Sequence, residues 1–341
     1  MALVSEQRSR YEDKLKRELG SLILNALADP LTEDILLNAD GGVWTKCLGS
    51  GFKRIGEMQA SAALSAIGTI AAWRETVVTH DSPILETELP LDGSRFEGLI
   101  PPFVRNPVFA IRLRPKTIFS LQQYADSGVL SHGEDTLNAV NKSVATFIEE
   151  MRNKPHIEIL RAAIRNKKNI LVVGATGSGK TTFINAILAE IFTLVPNDRL
   201  VIIEDTTELQ SAQPNMVDLR AYGAVSMLRA LAVTLRLKPV RIVVGEVRGP
   251  EALALLKAWN TGHPGGAASI HANSAEAGLS RLEALVAEAT AAPQQKLIAE
   301  AVDIVVFIDE ENSLKAGRKV RELLVVEGYD EATKKYVFER M

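Results

Sequence analysis

Asn169-Ile170-Leu171-Val172-Val173-Gly174-Ala175-Thr176-Gly177-Ser178-Gly179-Lys180-Thr181-Thr182 is the stretch whose reading decides the fold. Ile170 to Val173 is a continuous apolar run, the pattern of a strand buried on both faces. Gly174 to Thr181 fits G-x-x-x-x-G-K-[ST], and Thr182 to Ile191 carries a helical apolar pattern, so the glycines stand at a strand-to-helix turn. In such a turn the backbone of Gly174, Ala175, Thr176, Gly177, Ser178 and Gly179 aims successive N–H groups inward. The positive end of the following helix adds to them. That is a cradle for phosphates. Lys180 places a point charge between the β- and γ-phosphates, and the Thr181 hydroxyl is a ligand for Mg²⁺, with Thr182 closing the run. ATP and Mg²⁺ are the expected ligands.

Working outward, the second part of the chain alternates helical stretches (120–125, 136–151, 157–167) with short apolar strands. The strands are Ile170–Val173, Leu200–Ile203, Ile242–Val244, Ala267–Ile270 and Ile304–Ile308. Alternation of this kind predicts a mostly parallel sheet covered on both faces, an α/β domain. Two strands run into acids: Val201-Ile202-Ile203 into Glu204-Asp205 with Glu208 one turn on, and Ile242-Val243-Val244 into Gly245-Glu246. Phosphoryl transfer needs a carboxylate to orient water and cations to meet the developing charge. One acid after a strand is commonly a turn residue or helix cap; two such strands beside a phosphate loop make Glu246, Glu204 and Asp205 site candidates. His263 and His271 bracket Gly265-Gly266 and a strand. A histidine so placed is either structural or, in the case of His271, a γ-phosphate sensor; the sequence completes no set of metal ligands around it.

The first part of the chain has a different texture. An amphipathic helix carries Tyr11, Leu15, Leu19, Leu22, Ile23 and Ala26 at helical spacing. Acidic residues interrupt its basic face, so it reads as a helix packing on its own domain rather than on a membrane. Asp40-Gly41-Gly42 and Asp92-Gly93 each separate two apolar strand patterns, which predicts two hairpins. A helix over 60–77 and a strand over 108–113 complete a smaller α+β domain, residues 1–115. Residues 116–341 form the phosphate-binding domain, with a joint near Gly128 and Ser131-His132-Gly133.

Composition narrows the options. The chain has 341 residues, 46% hydrophobic and 24% charged, and a formal net charge of -3, so its overall balance asks for no nucleic-acid partner. A single cysteine, Cys47, excludes an internal disulfide and a tetra-cysteine zinc site. The first residues lack the apolar core of a secretory signal. The longest apolar-rich stretch, Ala62 to Trp73, falls short of the roughly 20 residues that span a bilayer. A soluble or peripheral protein is expected.

These segments together resemble the traffic ATPases of type IV secretion, and among them the TrbB conjugal-transfer ATPases. The resemblance is carried by the phosphate loop, by Ile203 to Leu209, by Val244 to Ala252 and by Thr261 to Asn273. In the first domain Pro90 to Phe96 and Phe109 to Arg112 carry it. It implies a RecA-like P-loop NTPase domain preceded by a smaller N-terminal domain, and assembly as a homohexameric ring. It implies partners among the inner-membrane components of the mating-pair apparatus, and a place at the cytoplasmic face of that membrane. Glu246 would be the catalytic carboxylate, Asp205 and Glu204 would sit near Mg²⁺, and His271 would link the γ-phosphate to ring conformation. Arginines of the N-terminal domain approach the phosphates in this family, which points to Arg95 and Arg112, with Arg114 beside them. Arg95 and Arg112 also stand in or beside apolar strand patterns, where a buried cation needs an anion. One departure is visible: Arg236-Leu237-Lys238-Pro239-Val240-Arg241 stands where the family has an R-x-R-P-D-R-like run, which puts a salt bridge or subunit contact there in doubt.

Export or pilus biogenesis driven by ATP hydrolysis is thus the leading expectation. A pilus retraction or assembly ATPase is the alternative within the class. A translocase gripping DNA directly is disfavoured, since no clusters of basic and aromatic residues occur, and no sequence-specific nucleic-acid binding is expected.

Overall fold

Alternating apolar runs in the first part of the chain and continuous ones in the second sort it into two sheets. The computed structural model describes the backbone of residues 2–115, 119–131 and 136–341. The first part runs α1 (Ala2–Ala28), β1 (Thr32–Leu37), β2 (Gly42–Cys47), β3 (Phe52–Glu57), α2 (Ala60–Trp73), β4 (Ile84–Glu88), β5 (Arg95–Leu99) and β6 (Val108–Arg112). Its strands form one antiparallel sheet in the order β3-β2-β1-β6-β5-β4. Both expected hairpins are present. Gly41 takes φ 84° between β1 and β2, and Gly93 takes φ 72° between β4 and β5. The helix expected over 60–77 stops at Trp73, where the chain turns through Glu75 at φ 56°.

Period two divides this sheet. Ile35, Leu37, Phe96, Phe109 and Ile111 pack beneath α1 and α2. Leu36, Leu99, Val108 and Ala110 point the other way and join the core of the second part. A slip of one residue would exchange the two sets, so the register is firmly specified.

The second part runs α3 (Leu121–Asp126), α4 (Thr136–Met151), α5 (His156–Arg165), β7 (Ile170–Val173), α6 (Lys180–Leu194), β8 (Leu200–Glu204), β9 (Met216–Arg220), α7 (Met227–Thr234) and β10 (Arg241–Val244). It continues through α8 (Glu251–Asn260), β11 (Ala267–Ile270), α9 (Ala275–Ala287), α10 (Gln295–Ala301), β12 (Ile304–Glu310), β13 (Arg318–Asp330) and β14 (Lys335–Arg340). The strand order is β14-β13-β12-β7-β11-β10-β8-β9. From β12 to β9 every pairing is parallel, and β13 and β14 add an antiparallel edge. The phosphate-loop strand β7 therefore lies between β12 and β11, with two buried layers around the sheet. Of the expected joint, Gly128 stands at φ 79° after α3, while His132 and Gly133 lie outside the described residues. Among the described residues no helix is long and apolar enough to cross a membrane.

Polar contacts tie the two parts together. Lys238 Nζ lies 3.1 Å from Asp34 Oδ2, so the departure from arginine keeps an ion pair at this place, between domains. Buried Arg199 donates to Asn38 Oδ1 at 2.7 Å and to the Leu237 carbonyl at 2.7 Å. Arg229 Nη2 stands 2.9 Å from Glu86 Oε2, and Arg236 Nη1 3.5 Å from Glu97 Oε2.

Glu97 is nearly inaccessible, and burial, with Glu86 adding to it, pushes its carboxyl up to about 8 against the pull of Arg236 and Arg229. An acid held above its unfolded value binds an extra proton in the folded state. Stability therefore falls as pH rises from about 4.5 to about 8. Urea titrations across that window should show the fall, and Glu97→Gln should flatten it by an amount on the order of 1–3 kcal/mol. An unchanged pH slope in the variant would remove Glu97 as its source.

Candidate functional site

β7 ends in the loop that the sequence marks. Gly177 takes φ 79°, and Gly179, at φ 96°, caps α6 in the left-handed region that a Cβ resists. α6 begins at Lys180, two residues earlier than its apolar pattern suggests. A Cβ on Gly174 would run into Ser178 Oγ and the Ile308 carbonyl, so the loop closes on itself only as glycine. Ser178 Oγ is buried and has no hydrogen-bond partner, a polar group aimed into the loop and suited to an anion. Ala175, Thr176 and Gly177 are exposed, Thr181 is half-buried and Thr182 exposed.

Lys180 is buried to 7% exposure. Its Nζ donates to the Gly174 carbonyl at 3.1 Å and the Ala175 carbonyl at 2.9 Å, and lies 3.1 Å from His271 Nδ1. Burial lowers the ammonium below its ordinary value, and Glu246 partly restores it. On the far side of the imidazole, His271 Nε2 lies 3.0 Å from Glu246 Oε1. Three site candidates from three separate segments thus form one chain: Lys180 on α6, His271 after β11 and Glu246 after β10. The parallel order puts the C-terminal ends of β7, β11 and β10 side by side, which is why they meet.

Glu246 is held between cations. Arg248 Nη2 donates to its Oε2 at 2.9 Å, and Arg248 Nε lies 2.8 Å from Oε1. Burial alone would raise the Glu246 carboxyl; the Arg248 hydrogen bond and the charges of His271, Arg248 and Lys180 outweigh it and hold the group below the usual range. Oε1 is buried, and no donor meets it in hydrogen-bonding geometry. That oxygen is placed to accept from a water. Arg248 Nη1 also reaches Asp205 Oδ2 at 2.5 Å, bridging the two carboxylates. The Arg248 hydrogen bonds were not anticipated, although its segment was.

Glu204 behaves differently. Its Oε1 accepts from the amides of Glu208 at 3.0 Å and Leu209 at 2.9 Å, and burial raises its carboxyl. It shapes its own loop, so of the two acids expected near a metal, Asp205 is the one presented outward. His263 holds the Pro239 carbonyl at 2.9 Å, a structural contact.

Arg95, Arg112 and Arg114 are all exposed, contrary to the expectation that Arg95 and Arg112 are buried. Alternation puts Arg95 and Arg112 on the sheet face of Leu99, Val108 and Ala110, which turns toward the second domain, and there they stay exposed. Arg95 and Arg112 line a cavity of ≈ 580 Å³ with Arg74, Arg236 and Lys238. Arg114 Nη2 pairs with Glu88 at 3.2 Å. Arg236 and Lys238 precede β10, whereas Glu246 follows it, so these arginines stand at the end of the parallel sheet opposite to Lys180. Within one chain the structure does not bring them to the phosphate loop.

Among the described residues no group of three or more acids, histidines or cysteines could cage a metal. Mg²⁺ does not need a protein cage, since it binds through one or two carboxylates, phosphate oxygens and water. Thr181, Asp205 and Glu246 are compatible with that mode.

The family model for type II/IV secretion system proteins matches residues 136–316, the span that holds the phosphate loop, Asp205, Glu246, Arg248 and His271. The conjugal transfer protein TrbB of Rhizobium radiobacter is 43% identical over 94% of this chain and 91% of its own length. The type IV secretion protein VirB11 of Bartonella quintana is 30% identical over 81% of this chain and 84% of its own. The crystal structure of the VirB11 ATPase of Brucella suis, solved with sulphate, superposes with a TM-score of 0.83 at 27% identity, covering 94% of this chain and 96% of that one. The likeness thus runs through both domains, along nearly the whole length of each chain. The chain belongs to the type II/IV secretion system protein family and is a homologue of the TrbB conjugal-transfer proteins and the VirB11 ATPases.

Proposed function

We propose that the chain hydrolyses ATP in a homohexameric ring, and that the resulting domain motion drives conjugal transfer at the cytoplasmic face of the inner membrane. One observation carries the catalytic part: Glu246 Oε1 is buried without a hydrogen-bond donor, 3.0 Å from the histidine whose other nitrogen lies 3.1 Å from Lys180 Nζ. Water held by Glu246 attacks the γ-phosphorus, the bond to the β–γ bridging oxygen breaks, ADP leaves with its electron pair, and the water's proton ends on the released phosphate. Lys180 exchanges the Gly174 and Ala175 carbonyls for β- and γ-phosphate oxygens. Thr181 and Asp205 would hold Mg²⁺, which would supply charge neutralisation at the phosphate oxygens. Arg248 releases part of its hold on both carboxylates when the nucleotide enters. His271, touching Lys180 on one side and Glu246 on the other, reports the γ-phosphate to the strand ends.

The exposed arginines fit a ring. Lying away from the phosphate loop of their own chain, Arg95 and Arg112 are free to act on a neighbour's nucleotide, with Arg114 alongside. Docking partners are membrane components of the mating-pair apparatus, and the ring does not itself read nucleic-acid sequence. Phosphate release by mixed variants tests this. Arg112→Ala should lower turnover roughly tenfold to hundredfold. Mixing it with Lys180→Ala should restore up to roughly a quarter of the sites, those pairing an intact Lys180 with an intact Arg112 across a head-to-tail contact. Full activity in Arg112→Ala, or no recovery on mixing, would remove the trans arginine; no release by the wild-type ring would remove the ATPase.

A further inference from the structure

Arg318 opens β13, paired in register with Glu310 at the mouth of the β12–β13 hairpin. β12 lies directly beside β7, so the mouth of the hairpin leans over the phosphate loop. Arg318 Nη1 donates to Thr182 Oγ1 at 3.2 Å. Its guanidinium fills the space where a Cβ of Gly179 would stand, so the glycine serves this approach as well as its own left-handed φ. Glu310 Oε1 comes within 3.9 Å of the corresponding point on Gly177. Arg318 is half-buried, and among the described residues no ion pair to a carboxylate is formed by it. A half-buried guanidinium with five donors and no anion, against a phosphate cradle, is a binding group.

Its side of the loop decides which phosphate it meets. His271, Glu246 and Asp205 follow β11, β10 and β8, which lie on one side of β7; Arg318 comes from β13, on the other side. Cleavage belongs to the first side. The second faces Gly179 and Thr182, where the loop hands over to α6 and the α-phosphate is cradled.

We propose that Arg318 binds the α-phosphate and so holds ADP and ATP alike, setting the rate at which ADP leaves. This rests on the ATPase function proposed above. The planar fork can donate two N–H groups to one phosphate, which a lysine cannot reproduce. Nothing in the sequence singled the residue out.

Titration calorimetry with ADP and with a non-hydrolysable ATP analogue plus Mg²⁺ tests the assignment. Arg318→Ala should weaken both by the same factor, about tenfold to hundredfold. Arg318→Lys should fall between it and wild type. The preference for ADP over GDP should stay as in the wild type. Arg318→Gln, closer in length, keeps the test open if the alanine variant folds poorly. Affinity for ADP unchanged in the variants would overturn the proposal, as would loss confined to the triphosphate or a changed base preference. Wild-type protein that binds no nucleotide would overturn the ATPase function itself.

Discussion

Lys180→Ala is expected to lower ATP turnover by about 10²–10³-fold and to weaken triphosphate binding, while the chain stays folded. The ammonium is nearly buried, hydrogen-bonded to the Gly174 and Ala175 carbonyls of its own loop and close to His271 Nδ1. Burial works against its charge, which is why its proton is held less firmly than usual. An incoming triphosphate supplies the anion that this desolvated cation lacks, so much of the pairing energy is realised only with nucleotide present. Removing the charge should therefore cost little in the unliganded fold, within about 1 kcal/mol by urea titration. Phosphate release and calorimetry on the same sample check both halves. Turnover within threefold of wild type would remove Lys180 from the site.

Glu246→Gln should separate binding from cleavage. Glutamine keeps the shape and loses the charge, so kcat should fall by about 10²–10⁴-fold as the water loses its anionic acceptor. Affinity should hold or rise. Glu246 is the carboxylate shared by Lys180, Arg248 and His271, and without it those groups face the phosphates undiluted. Equal and negligible rates in wild type and variant would instead describe a nucleotide-binding scaffold. A variant with wild-type kcat would pass the catalytic role to Asp205.

Much of this site could be read from the sequence because its parts are local. A phosphate loop is one run of residues whose glycines, lysine and threonines serve a single turn. Glu246, Asp205 and His271 each close a short apolar strand, and parallel order gathers such strand ends at one edge. β3, β9, β13 and β14 left weaker signals. β3 is the exposed edge Phe52-Lys53-Arg54-Ile55-Gly56-Glu57, and β13 and β14 are long edge strands that interleave charges with apolar residues, so neither period stands out. Arg318 was invisible for the same reason. It sits in a polar run, and only the pairing of β12 with β7 carries it to the phosphate loop. For Arg95 and Arg112 the period misled. Their neighbours Phe96 and Ile111 are buried under the helices, but alternation puts the arginines on the opposite face, toward the second domain, where a cavity keeps them exposed. Glu204 looked like its neighbour Asp205, and only the two loop amides it accepts distinguish them.

A crystal structure of this protein with Mg²⁺ and a non-hydrolysable ATP analogue tests the central claim most directly. The expected result has the α- and β-phosphates on the amides between Gly177 and Thr182. Lys180 Nζ should have left the Ala175 carbonyl for phosphate oxygen, and a water should sit between Glu246 Oε1 and the γ-phosphorus. Lys180 still bound to the Gly174 and Ala175 carbonyls, with the analogue elsewhere or unbound at saturating concentration, would contradict it.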